Sequence, residues 1–131
     1  MSGIFTKIIN REIPSYKVAE NDFCYAFLDI NPLSKGHTLV VPKIEIDQLF
    51  DLPINEYNRL MMFSRSVALA IKKAVNCKRV AVVVLGFEVP HAHIHLIPID
   101  FEDQVNFSNP RIKLSPVEMN EIANSIHFQI V

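Results

Sequence analysis

"VPHAHIHLIP", Val89 to Pro98, is the stretch whose reading decides the fold. His91, His93 and His95 stand at every second position of it, in a chain that has five histidines altogether. Along an extended strand the side chains alternate between faces, so the three imidazoles project together while Ala92, Ile94 and Leu96 form the opposite, core-facing row. A strand of this kind is half-buried. Its sheet must therefore pack a core on one face and present polar chemistry on the other.

Outward from this strand the pattern stays regular. Immediately upstream, "RVAVVVLG" reads as an all-aliphatic strand covered on both sides, joined to the histidine strand through Phe87, Glu88 and Pro90. Earlier in the chain, "YKVAEN" and "FCYAFLDI" read as a hairpin turning at Asn21-Asp22, and "HTLVVP" as a strand that begins at His37 after the loop "NPLSKG". Ile54, Tyr57, Met61, Ala68, Ile71 and Val75 recur at helical spacing, with Leu60, Phe63 and Val67 widening the stripe, and Asp51 with Pro53 supplying cap and first-turn chemistry. A short helix is expected over Ile4 to Ile9, and Ser115-Pro116-Val117-Glu118 is a capping box that opens a final helix towards Phe128. Asp100 to Pro110 reads as a polar surface loop. The sum is an α+β fold: a five-stranded antiparallel sheet with a long helix and short N- and C-terminal helices, the helices to one side, in a single domain over 1–131.

Composition narrows the function classes. The 13 Lys and Arg nearly cancel the 14 Asp and Glu, and a net charge of -1 lacks the basic excess that a nucleic-acid polymer requires. No apolar run is long enough to span a bilayer, and "MSGIFTKIINREIP" lacks the apolar core of a secretory signal, so a cytoplasmic protein is expected. Without a secretory route the sequon "NFS" at Asn106 carries no weight. Cys24 and Cys77 form no Cys-x-x-Cys pair and read as isolated thiols.

What would three aligned imidazoles do? They can be solvated polar residues. They can ligate a metal, although residues four apart on a strand lie ~13 Å apart, so zinc would take two of them with a further group such as His37 or His127. Or a neutral imidazole can attack phosphorus, with its neighbours fixing its tautomer and donating to the phosphate oxygens.

"HAHIHLIP", together with "IFTKIINREIP", "AFLDINP" and "GHTLVVPK", resembles the histidine triad (HIT) family of nucleotide-binding hydrolases and transferases. The resemblance implies that His93 is the nucleophile, that the His91 carbonyl orients its ring, that His95 contacts the phosphate, and that His37 stands beside the triad. It implies a purine nucleoside pocket built from Ile4, Phe5, Ile8, Phe27, Asp29, Ile30 and Leu39, with Asp29 accepting from the ribose hydroxyls. It implies no cofactor and no resident metal, a nucleotide substrate and a homodimer. The segment "VVVLGFEVP" is shorter than the Gly-rich connection of many members. In it Glu88 stands where a hydroxyl or amide often assists the leaving group, which favours a neutral amine, as in a phosphoramidate, over a second nucleotide. The rival expectations are a nucleotide-binding module with little turnover and a zinc-dependent hydrolase.

Overall fold

The computed structural model describes residues 2–130. Five strands, β1 (Lys17–Glu20), β2 (Cys24–Leu28), β3 (Thr38–Pro42), β4 (Arg79–Val83) and β5 (Ile94–Ile99), form one sheet. They lie in the order β1-β2-β3-β5-β4, and every neighbouring pair is antiparallel. Three helices accompany them: α1 (Ile4–Ile9), α2 (Ile54–Ala74) and α3 (Pro116–Phe128).

Alternation along β2 and β3 divides the interior in two. Ala26, Leu28 and Val40, joined by Ile94 and Leu96 of β5, pack against Leu60, Val67 and Ile71 of α2 and against Met119, Ile122 and Ile126 of α3. Tyr25, Phe27, Leu39 and Val41 point the other way, onto Phe5 and Ile8 of α1. The helices therefore flank both faces of the sheet, rather than one as the sequence suggested. The second face is only partly covered, because α1 has 6 residues, and the gap it leaves is where the histidines emerge.

The capping box forms as read: Ser115 Oγ accepts from Glu118 N–H, while Glu118 Oε1 accepts from Ser115 N–H, both at 3.1 Å. Other expectations change. Pro53, which has no side-chain donor or acceptor to offer, occupies the N-cap of α2, and Asp51 lies in a preceding 3-10 turn, Leu49–Asp51. The buried stripe of α2 runs through Leu60, Ser64, Val67 and Ile71, whereas Ile54 and Met61 are exposed. A serine inside the stripe, and Met62 and Leu69 on the outer face, displaced the apparent apolar centre in the sequence. Strand β4 is an edge strand with no buried residue, not a strand covered on both sides.

Gly36 sets the entry to β3. Its φ of +94° belongs to the left-handed region, and a Cβ there would stand 2.9 Å from Val75 Cγ2. That close approach delivers the next residue, His37, into the interior.

Candidate functional site

Only His95 of the three alternating histidines lies within β5; His91 and His93 precede it on the approach. The alternation holds nonetheless. Ala92, Ile94 and Leu96 are buried, while His91 and His93 meet the Phe5 ring at centroid distances of 5.6 and 5.0 Å on the α1 side. His95 pairs across the sheet with Leu39, which places its ring on that same face.

Hydrogen bonds fix the tautomer of each ring, because a backbone N–H can only donate and a carbonyl oxygen can only accept. His91 Nε2–H donates to Pro42 O at 2.7 Å, and the His91 carbonyl in turn accepts from His93 Nδ1–H at 2.7 Å. His93 Nε2 is left with a free lone pair. A second chain has the opposite sense. Leu33 N–H donates to His37 Nδ1 at 3.0 Å, so the proton of His37 resides on Nε2 and is donated to His95 Nδ1 at 2.9 Å. His95 must then carry its own proton on Nε2. The His93 and His95 rings are 5.1 Å apart, so a basic nitrogen and an N–H donor stand side by side.

Electrostatics favour the neutral imidazole of His37, His91 and His95. Burial, with the charges of His95 and Arg111, pushes the His37 imidazole down to about 3. Burial, with His93 and Arg111, pushes His95 down to about 4. Burial also lowers His91 and raises Asp29. Loss of hydration disfavours the charged form of each of these groups.

The two rings open into a cleft of ≈ 680 Å³ walled by Ile4, Phe5, Ile8, Phe27 and Leu39 on its apolar side and by Asp29, Ile30 and Glu88 elsewhere. This volume lies within the usual range for small-ligand pockets. All seven residues expected of the nucleoside pocket thus come together, with Ile4 and Ile30 exposed at the rim. Among the expected catalytic residues His93, His95 and Glu88 face the cleft. His91 and His37, at 1% and 0% exposure, stand behind it, hydrogen-bonded to His93 through the His91 carbonyl and to His95 through His37 Nε2.

The sequence reading missed Phe107 and Arg111, which also line the cleft. Phe107 meets His95 at 4.9 Å and His37 at 6.3 Å, both T-shaped, from within the segment read as a polar surface loop. An aromatic residue isolated among polar ones, between Asn106 and Ser108, was the available signal.

The zinc arrangement of two triad histidines with His37 does not form. Among the described residues only His95 of the triad joins His37, and the third group of that cluster is Asp29, with the contributing atoms within 4.8 Å of one another. His37 and His95 already satisfy each other, so an ion there would have to displace the proton on His37 Nε2. Cys24 and Cys77 are both free thiols.

The fold and site together define a small α+β protein with a paired-histidine cleft at the open face of an antiparallel sheet. The HIT domain profile matches residues 10–102, and the chain belongs to that family. It is 36% identical to an uncharacterised HIT-like protein of Borreliella burgdorferi over 97% of both chains. It is 33% identical to an adenosine 5'-monophosphoramidase of Schizosaccharomyces pombe over 99% of both. A crystal structure of a HIT-like protein from Bartonella henselae superimposes with a TM-score of 0.83 at 31% identity, covering 98% of this chain and 96% of that one.

Proposed function

We propose that this chain hydrolyses purine nucleoside phosphoramidates or related nucleotide conjugates, or transfers their nucleotidyl group, through a covalent intermediate on His93. The observation that carries the reading is the pair of opposed hydrogen-bond chains, which leaves a lone pair on His93 Nε2 beside an N–H on His95 Nε2. His93 attacks phosphorus; the Nε2–P bond forms as the bond from phosphorus to the leaving nitrogen breaks, and the amine departs with a proton taken from solvent, which the later attack of water gives back. His95 donates to the phosphate oxygens as their charge grows. Water then attacks phosphorus, the Nε2–P bond breaks, and the nucleoside monophosphate is released with the ring restored. One water is consumed overall. Asp29 is the acceptor for the ribose hydroxyls, and the apolar wall of Phe5, Phe27 and Leu39 is the purine slot. Glu88, which also lines the cleft, favours a leaving group that is neutral or becomes cationic. The relative from Schizosaccharomyces pombe, named for activity on a phosphoramidate, supports the same choice.

Mass spectrometry after a denaturing alkaline quench, which preserves the acid-labile N–P bond, tests the mechanism on mixing with an adenosine 5'-phosphoramidate. A nucleotide adduct is expected on the peptide containing His93. His93→Ala should remove both the adduct and turnover, by ~1,000-fold or ~4 kcal/mol of transition-state stabilisation, with nucleotide affinity retained. Normal turnover by that variant would overturn the assignment. Nucleotide binding without turnover on phosphoramidates, acyl-nucleotides and dinucleoside polyphosphates would identify a binding module instead.

The unpaired edge of β4, with Val82 and the following Leu85 exposed, as are Met62 and Leu69 of α2, fits the proposal of a two-fold dimer that covers these surfaces. A stable 15.0 kDa species by light scattering at micromolar concentration would refute it. Among the described residues no helix is long and apolar enough to cross a membrane.

A further inference from the structure

We propose that Arg111 is a positioning residue of the site, which presses Phe107 against His95 and so holds that ring in its donating orientation. The inference rests on the proposed role of His95, and it is carried by contacts that join three distant parts of the chain. Arg111 Nη1 donates to Asn31 O at 2.6 Å and Nη2 donates to Phe107 O at 3.5 Å. The same guanidinium stands 5.4 Å from the Phe107 ring centroid, and the following residue, Ile112, donates its N–H to Pro32 O at 3.0 Å. These contacts bolt the segment after β5 to the turn that follows Asp29. Phe107 is thereby fixed at 4.9 Å from His95, with the ring planes at 74°.

The hydrogen bond from His37 determines which nitrogen of His95 carries the proton, but a single bond to Nδ1 leaves the imidazole free to tilt about it. Phe107 supplies the second restraint, and Arg111 holds Phe107. A planar guanidinium is suited to this, since it can face an aromatic ring and donate to two carbonyls at once, which an ammonium cannot. Arg111 is also a cation lining a cleft with Asp29 and Glu88, and its charge opposes protonation of His37 and His95.

The test is a double-mutant cycle of Arg111→Ala and Phe107→Ala, with Arg111→Lys as the charge-conserving variant, assayed on an adenosine 5'-phosphoramidate. Positional errors of about 1 Å at a reacting centre cost on the order of 100-fold, so a fall in kcat of roughly 10- to 100-fold is expected for Arg111→Ala with KM little changed. Arg111→Lys should not restore the rate, and adding Phe107→Ala to Arg111→Ala should cost little more, because both act through one ring. An independent readout needs no turnover. The His95 ring C–H signal in NMR should be sharp in the wild type and exchange-broadened in both single variants. A loss expressed in KM, restoration by lysine, additive losses, or an unchanged His95 signal would each overturn the proposal. If Arg111→Ala does not fold, Phe107→Leu, which keeps bulk but removes the ring, must reproduce the kcat loss and the broadening for the proposal to stand. A wild type inactive on every conjugate but showing the NMR behaviour would refute the proposed function and leave the brace intact.

Discussion

Replacing His37 with Phe separates what the buried ring does for stability from what it does for the chemistry. The substitution keeps a planar ring but removes both ring nitrogens, so Leu33 N–H loses its acceptor and His95 Nδ1 loses its donor. Both sites are closed to solvent around a residue that is 0% exposed. An unsatisfied buried group costs about 1–3 kcal/mol, so the two together predict a loss of about 2–6 kcal/mol. That is a large part of the ~5–15 kcal/mol that holds a typical domain together. It should appear as a lower urea midpoint with an unchanged slope. The catalytic consequence is distinct. Without His37 the His95 proton can reside on either nitrogen, and the tautomer with a lone pair on Nε2 repels the phosphate. Removal of one preorganised donor from a developing oxyanion costs ~10²–10³ in kcat. The variant should therefore lose that factor even where it is fully folded, at low denaturant and low temperature. If the urea midpoint falls as expected but kcat stays within roughly threefold of the wild type, His37 is packing only and the relay to His95 is refuted. If the midpoint does not move, the two hydrogen bonds carry no net stability and the energetic reasoning fails.

Acidification offers a second test. His37 and His95 have folded values of about 3 and about 4, below the usual 6.5, so below pH 6.5 the unfolded chain takes up protons that the folded one refuses. Their contribution to stability is complete above pH 6.5 and is lost as pH falls towards 4, and lowered His91 adds in the same direction. Raised Asp29 opposes it, so urea midpoints between pH 6.5 and 4.5 should report net uptake of about one to two protons on unfolding. A flat profile would contradict the buried neutral imidazoles. Glu88→Gln should widen leaving-group tolerance: turnover of a dinucleoside polyphosphate should rise roughly 10-fold relative to a phosphoramidate in a competition assay, and an unchanged ratio would remove Glu88 from leaving-group selection.

Features written in short-range pattern were legible from the sequence. The capping box needs only Ser115 and Glu118 three residues apart, and the division of Ala92, Ile94 and Leu96 from the histidines needs only alternation. Position in the sheet was harder to read. A continuous aliphatic run such as Val80 to Leu85 is what a strand buried on both faces displays, yet here it is an edge of the sheet with no buried residue in β4. The phase of α2 was obscured because apolar residues continue around the helix through Met62 and Leu69, while Ser64 interrupts the side that is actually buried. At the site, each candidate residue drawn from a quoted segment lies at the cleft or directly behind it. Phe107 and Arg111 did not belong to a motif. Their roles depend on contacts with Asn31, Pro32 and His95, far away in sequence, and no local pattern encodes those distances.

The sheet's two-sidedness also bears on how such a protein can change. In β2 and β3 each step of one residue crosses from the core under α2 and α3 to the α1 face, part of which walls the cleft. Ala26 and Val40 answer to the first; Phe27 and Leu39 answer to the second. Selection can therefore retune what the cleft accepts by exchanging alternate residues, while their immediate neighbours preserve the scaffold unaltered.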